Sequence, residues 1–595
     1  MKPITVEKRA TSGSPVRRKY WSSLRRMLTG SALLSLREEQ FFLVLSVIIG
    51  SIAGLVVVLF RVAISAVRWL LLGTGLRPDV PRVFIAPALA GLLIAVLVGK
   101  FFPRVRGSGV NQTKGALYIY DGYVGSSTTI GKFLTGALAI GSGQSLGPED
   151  PALQVGAGIA SLIGRRLRLS RERLRLIAPV GAAAGLAAAF NAPITAVLFV
   201  IEEVIGRWTT GILGAVVLSA ISSTVVERWF LGQEPLFLVP EYHLENPGEL
   251  LAYAALGVLG GTASVLFVKF IALLRPWLRR LPPWTQYVQP AVAGLLIGLI
   301  GIRFPQVMGA GYNSIDQAMN ARFGWEILGI LAGLKILTTG ISFASGTPGG
   351  LFAPTLFIGA MLGGAVGGLE QSFFPQLSIP VGAYALIGMG TLFAGILRAP
   401  MTSIFMILEV SGNYSIILPV IVSNTVAYLI SRTFQRVPIF DLLSRQDGLD
   451  LPSLEEEREV ATLRVEDALS PFAEQVLDGK GTLFHALDVV QNAKGDFFLV
   501  QLPGGRWAGV SRQTLLDLEP DGSESLGSRL NMFIPALYPD QSLETALRHI
   551  SDWPFLPVVH RADPAMLIGI ISVQDVINAY RNAGVEEPGD ELPPS

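Results

Sequence analysis

The sequence predicts a polytopic, all-α membrane protein made of two related halves, with a smaller α/β region after it. Three observations carry this. First, 50% of the 595 residues are apolar and only 15% are charged, too apolar a balance for an ordinary soluble enzyme. Second, the apolar stretches begin near Glu39 and stop near Phe440, and the residues after them have soluble-domain composition. Third, the apolar region repeats itself in order. PALAGLLI (87–94) returns as PAVAGLLI (290–297), and FPRVRGSGVN (102–111) as FPQVMGAGYN (304–313). PALQVGA (151–157) returns as PTLFIGA (354–360), and NAPITAVLFVIEE (191–203) as RAPMTSIFMILEV (398–410). The four offsets are 203, 202, 203 and 207 residues, so residues 39–440 divide into halves of 41–230 and 250–440.

Residues 1–38 are basic and lack a cleavable apolar core, which reads as a cytoplasmic leader. A bilayer core needs about 20 apolar residues per spanning helix. Segments 41–60, 83–102, 177–201, 250–275, 286–302 and 416–431 qualify, and others are shorter or broken by Gly and Pro. The run RRLRLSRERLR (165–175) belongs on the cytoplasmic face by the positive-inside bias. There is no cysteine and there are four scattered histidines, so disulfides, iron–sulfur clusters and metal sites are not expected. No nucleophile–base pair appears either, so an enzyme is not expected.

Each half carries two interruptions, a Gly-rich loop and an Ala-Pro break. GSGQSLGPEDP (141–151) and SGTPGGLFAP (345–354) each end on a Pro before a new apolar helix, and Pro151 and Pro354 read as first helical positions. Unpaired amides at such starts are positive and suit an anion. Gly107-Ser108-Gly109, Gly147 to Pro151 and Gly349-Gly350-Leu351-Phe352 are the candidates. Their convergence would make an anion cage without a fixed cation, at the kind of helix break where transporter sites lie. The repeat also sorts the acids. Glu202 aligns with Glu409, whereas Glu149 aligns with Phe352 and Glu203 with Val410. Intramembrane acids mark ion or proton paths by default, and these two break the symmetry of the frame. Asp150, directly before Pro151, reads as the cap of that helix.

The set GSG (107–109), G-x-E-x-P (147–151), GGLFAP (349–354) and FNAPITAVLFVIEE (190–203) resembles the CLC family of chloride channels and chloride/proton exchangers. The resemblance implies an inverted repeat of about 18 helices, assembled as a homodimer in the plasma membrane with a separate pathway in each subunit. It implies that Ser108, Gly109, Gly147, Gly350 and the amides of Leu351 and Phe352 surround the anion, with Phe440 beside it near the last helix. It assigns Glu149 as the gating glutamate and Glu203 as the inner proton-transfer glutamate. Retention of Glu203 favours chloride/proton antiport over a passive channel, the alternative. Four positions depart from the family pattern: Pro148 and Asp150 flank the gate, Asn111 stands where a proline is usual, and Phe440 stands where many members place a tyrosine. Extra negative charge at Asp150 disfavours an anion beside the gate.

After a charged linker (441–460), residues 461–583 alternate short strands and helices in two copies and resemble tandem CBS domains, with 584–595 read as a disordered tail. Ser572 and Asp575 keep the S-x-x-D form that can hold the ribose of an adenine nucleotide, and the first copy has Thr514 there. A purely structural dimer clamp is the other reading. The CBS region and the N-terminus are expected in the cytoplasm, with chloride, protons and lipid as partners and no nucleic acid. CBS modules also accompany magnesium transporters, but the chain lacks the carboxylate cluster a hard cation requires.

Overall fold

The computed structural model describes residues 38–73, 80–206, 210–233, 236–237, 248–373, 380–449, 451, 463–472, 476–493, 495–518, 525–530, 533–550 and 553–584. Residues 1–37 of the N-terminal leader, half of the linker and residues 585–595 of the tail lie outside these residues. The chain divides into two compact units at position 451. The boundary expected at 440 falls inside a helix, Ile439–Gln446.

The first unit is helical among its described residues. Its first half contains α1 (Glu38–Leu72), α2 (Val80–Lys100), α3 (Gly109–Tyr118), α4 (Ser126–Gly141), α5 (Glu149–Leu167), α6 (Arg171–Phe190), α7 (Pro193–Phe199) with a π-helical turn (Val200–Ile205), and α8 (Thr210–Leu231). The second half repeats that order in α9 (Glu249–Arg280), α10 (Gln289–Arg303), α11 (Tyr312–Met319), α12 (Trp325–Ala344), α13 (Phe352–Phe373), α14 (Val381–Leu397), α15 (Pro400–Ser411) and α16 (Ile417–Phe434). Helix α17 (Ile439–Gln446) follows. Eight helices among the described residues are long and apolar enough to cross a membrane. Along α1, Leu43, Val47, Leu55, Leu59 and Val62 are exposed, an apolar outer face suited to lipid.

The halves meet by reciprocal contacts, the signature of a two-fold relation. Gly147 and Gly350 exchange two backbone hydrogen bonds, each 2.9 Å. The Glu409 carboxylate accepts from Thr195 N at 2.9 Å and Thr195 Oγ1 at 2.7 Å, and Glu202 accepts from Thr402 N and Oγ1 at 2.9 and 2.8 Å. The acids shared by both halves are therefore exchanged helix caps for α7 and α15. A Cβ on Gly91 would strike the Pro290 carbonyl and one on Gly294 the Pro87 carbonyl, which is why α2 and α10 can pack backbone to backbone. Replacing Glu202 or Glu409 by Ala should each cost about 1–2 kcal/mol, the value of a cap, and by nearly equal amounts, read as the loss of melting temperature.

The expected span 177–201 is broken. Asn191 adopts φ 54°, ending α6 before Pro193 restarts the chain as α7. The two prolines read as first helical positions stand third instead, since α5 begins at Glu149 and α13 at Phe352. First-turn amides have no intrahelical partner, so Pro costs no hydrogen bond there.

The second unit contains a sheet in the order β1 (Leu477–Asp478), β2 (Phe497–Leu502), β3 (Arg506–Ser511), and a hairpin of β4 (Phe555–Val559) and β5 (Leu567–Ser572). Helix α18 (Leu483–Asn492) precedes the β2–β3 pair and α19 (Arg512–Leu516) follows it. Then come α20 (Leu526–Arg529), α21 (Leu543–His549) before the hairpin, and α22 (Val573–Gly584) after it. The copies match closely: Leu477 pairs in parallel with Val500, as Leu537 does with Val558. Ser572 and Asp575 form a capping box on α22, and Asp575 also accepts from Ser470 Oγ at 2.7 Å. Partial burial works against ionisation, but these hydrogen bonds outweigh it and hold the Asp575 carboxyl below its usual range.

Candidate functional site

Three helix starts come together where the sequence places them. The Gly147–Gly350 exchange joins the turn before α5 to the turn before α13. Asp150, in the first turn of α5, ties that point to α3: its Oδ2 accepts from Ser108 Oγ at 3.1 Å and its Oδ1 from Val110 N at 3.1 Å. Asp150 is thus a cap, but of α3 rather than of its own helix. The first turn of α5 carries it away from the α5 amides and toward Ser108. Glu149, Asp150, Leu351 and Phe352 are all fully buried. Glu149 Oε1 accepts from the Tyr312 hydroxyl at the start of α11. Its Oε2 is buried without a well-formed hydrogen bond, beside the backbone amides of Ala353 and of Glu149 itself. The carboxylate therefore stands where the starts of α5 and α13 offer their amides.

The loops before α3 and α11 are each held from beneath by a buried lysine. Lys132 Nζ donates to the carbonyls of Val105 and Gly107 at 3.3 and 2.9 Å. Lys335 Nζ donates to Val307 and Gly309 at 3.0 and 2.7 Å. A cavity of about 660 Å³ is lined by Arg61, Arg68, Pro148, Gln306 and Tyr312 among others. Arg61 in its wall is paired with Glu227 at 2.7 Å, and Arg68 adds positive charge to the opening.

Phe440 is fully buried and lacks the hydroxyl of a tyrosine, and its ring lies 6.2 Å from Phe352 and 6.3 Å from Phe199. Phe199 and Phe352 are 4.9 Å apart, so three rings close the space between α7, α13 and α17. Asn111 explains its own departure: its Nδ2 donates to the Phe440 carbonyl at 2.7 Å, a bond a proline could not make.

Glu203 stands in the π-helical turn after α7, a distortion frequent at functional sites. Its Oε1 receives Lys114 Nζ at 2.9 Å, and the same ammonium reaches Asp441 Oδ1 at 3.2 Å. Lys114 and Asp441 were not anticipated from the sequence, nor were Tyr312, Lys132 and Lys335. Two signals were available: Lys132 and Lys335 obey the 203-residue offset, and Tyr312 replaces Val110 of the first half.

Comparison with known proteins gives this geometry a family. The family model described as voltage gated chloride channel matches residues 90–432, more than half of the chain. The chain belongs to the CLC family. A CBS domain model also matches residues 533–582, the second of the two copies. Among CLC relatives, the H(+)/Cl(-) exchange transporter ClcA of Vibrio cholerae is 34% identical over 413 residues, covering 67% of this chain and 88% of that protein. A putative chloride channel protein, ClcB-like, of Ralstonia nicotianae is 32% identical over 68% of this chain and 97% of its own. Among solved CLC structures, that of a slow cyanobacterial Cl-/H+ antiporter superposes with a TM-score of 0.63 at 28% identity, over 70% of this chain and all of that one. A eukaryotic CLC transporter matches in fold, with a TM-score of 0.60 at 21% identity, over 90% of this chain and 97% of its own.

Proposed function

We propose that the chain exchanges chloride for protons across the plasma membrane, with Glu149 as the gate and Glu203 as the proton-transfer acid of the opposite side. The observation that carries this is the Glu149 carboxylate lying beside the amides of the α5 and α13 starts. An ionised carboxylate there satisfies the positive helix ends and excludes chloride. Protonation removes its charge, the amides lose their partner, and a chloride ion takes the position as the side chain swings away. The proton leaves when the carboxylate returns, so one site alternates between its own anion and a mobile one. The relatives named as exchangers support this reading over a passive channel.

Glu203, with Lys114 and Asp441, handles the proton on that opposite side. Each subunit holds a complete set of these residues, and the assembly is a homodimer with two separate paths. The N-terminus and CBS region lie in the cytoplasm. The test is uphill transport: in proteoliposomes of the full chain, an imposed chloride gradient should drive protons against their own gradient. Chloride movement without protons would assign the chain as a channel.

In the CBS region, Ser572 and Asp575 satisfy each other and Ser470, so a ribose would have to displace bonds already made. The pair acts as a helix cap. Calorimetric titration of the full chain with ATP, ADP and AMP is expected to give no saturable heat, and saturable heat would assign the site to an adenine nucleotide.

A further inference from the structure

Of the three converging helix starts, one is already occupied by a side chain. Asp150 is fully buried and both of its oxygens accept hydrogen bonds, from the Ser108 hydroxyl and from the Val110 amide. The Gly109 amide and the charge of Lys132 act on it as well. Two glycines make the room. A Cβ on Gly109 would lie 2.5 Å from Asp150 Oδ1, and one on Gly350 would lie 2.6 Å from Asp150 Cβ. In the second half the matching position is Ala353, so this carboxylate, like that of Glu149, is an addition to one half of the frame.

We propose that Asp150 is a tethered anion: its carboxylate takes the place of a transported anion at the Ser108 end of the path and so limits how many chloride ions the chain holds and how tightly. This rests on the chloride/proton exchange proposed above. Ser108 has one proton to donate and gives it to Asp150, while the Val110 amide is shared between Asp150 Oδ1 and Ser108 Oγ, each at 3.1 Å. A mobile anion beside Ser108 would meet a fixed negative charge at close range, without the donors that would offset it. Chloride is left with the starts of α5 and α13, where it competes with Glu149 alone.

Titration calorimetry of the purified full chain with potassium chloride tests this. Asp150→Gly, which frees Ser108 and the α3 amides, should bind chloride about tenfold or more tightly. Asp150→Asn, of equal size without the charge, should also gain, and Ser108→Ala added to Asp150→Gly should remove most of the gain. Unchanged or weaker chloride affinity in a folded Asp150→Asn or Asp150→Gly protein overturns the proposal. Anomalous scattering from bromide needs no variant: in the wild-type protein, bromide bonded to Ser108 Oγ would overturn it, and its absence there, with bromide bound elsewhere in the path, supports it. These are equilibrium measurements, so they stand whether or not the wild type pumps protons. Failure of the flux assay alone would sink the exchange reading instead.

Discussion

Glu149→Ala is expected to reduce chloride-driven proton movement to the level of protein-free liposomes, with chloride flux retained. Among the described residues, Glu149 is the carboxylate held both by Tyr312 and beside the amides at the α5 and α13 starts. Alanine supplies neither a proton carrier nor a competitor for the anion, so the exchange step is lost while the path stays open. Glu149→Gln separates the two roles. It keeps the size and can still meet Tyr312, but it carries no proton, so proton flux should vanish with it as well. Tyr312→Phe should act in the opposite direction. A hydrogen bond to a charged group contributes about 1.5–3 kcal/mol, and its loss frees the carboxylate to leave. Chloride turnover should then rise by about tenfold or more, as 1.4 kcal/mol corresponds to a factor of ten. Proton flux that survives Glu149→Ala would show that another group carries the coupled proton.

The frame of this protein was legible because it is written twice. Gly147 and Gly350, or Glu202 and Glu409, sit at matching positions in both halves, and the folded chain brings the members of each pair together by reciprocal contacts. Glu149 and Glu203 stand out for the converse reason: they have no counterpart in the other half. What the sequence hid is pairing across long separations. Local spacing reads Asp150 as the cap of the helix it opens, because such spacing shows only local partners. Its partner Ser108 lies 42 residues away. Asp441 lies 327 residues from Lys114, and no periodicity reports such a contact. Phe440 and Asn111 looked like two unrelated departures, and the fold makes them one hydrogen-bonded joint.

Lys114→Met is expected to destabilise the membrane unit by about 3–5 kcal/mol, the cost of stripping a buried ion pair of one partner. Lys114 is 1% exposed, and its ammonium stands between Glu203 at 2.9 Å and Asp441 at 3.2 Å. Two acids share one cation, so its removal leaves a pair of buried carboxylates facing each other across the space it held. The loss should appear as a large drop in melting temperature, and neutralising either acid in the Lys114→Met background should restore part of it. The two restorations should not add, because the three groups form one network. With all three changed, as Lys114→Met, Glu203→Gln and Asp441→Asn together, the three positions carry no charge. Stability should then return to within about 1–2 kcal/mol of the wild type, while proton flux stays lost. Recovery of stability without recovery of proton transport separates the two duties of the cluster: Lys114 keeps the acids in the fold, and the acids move the proton. If instead the triple variant stayed as unstable as Lys114→Met alone, the lysine would be acting through its packed alkyl chain and not through its charge.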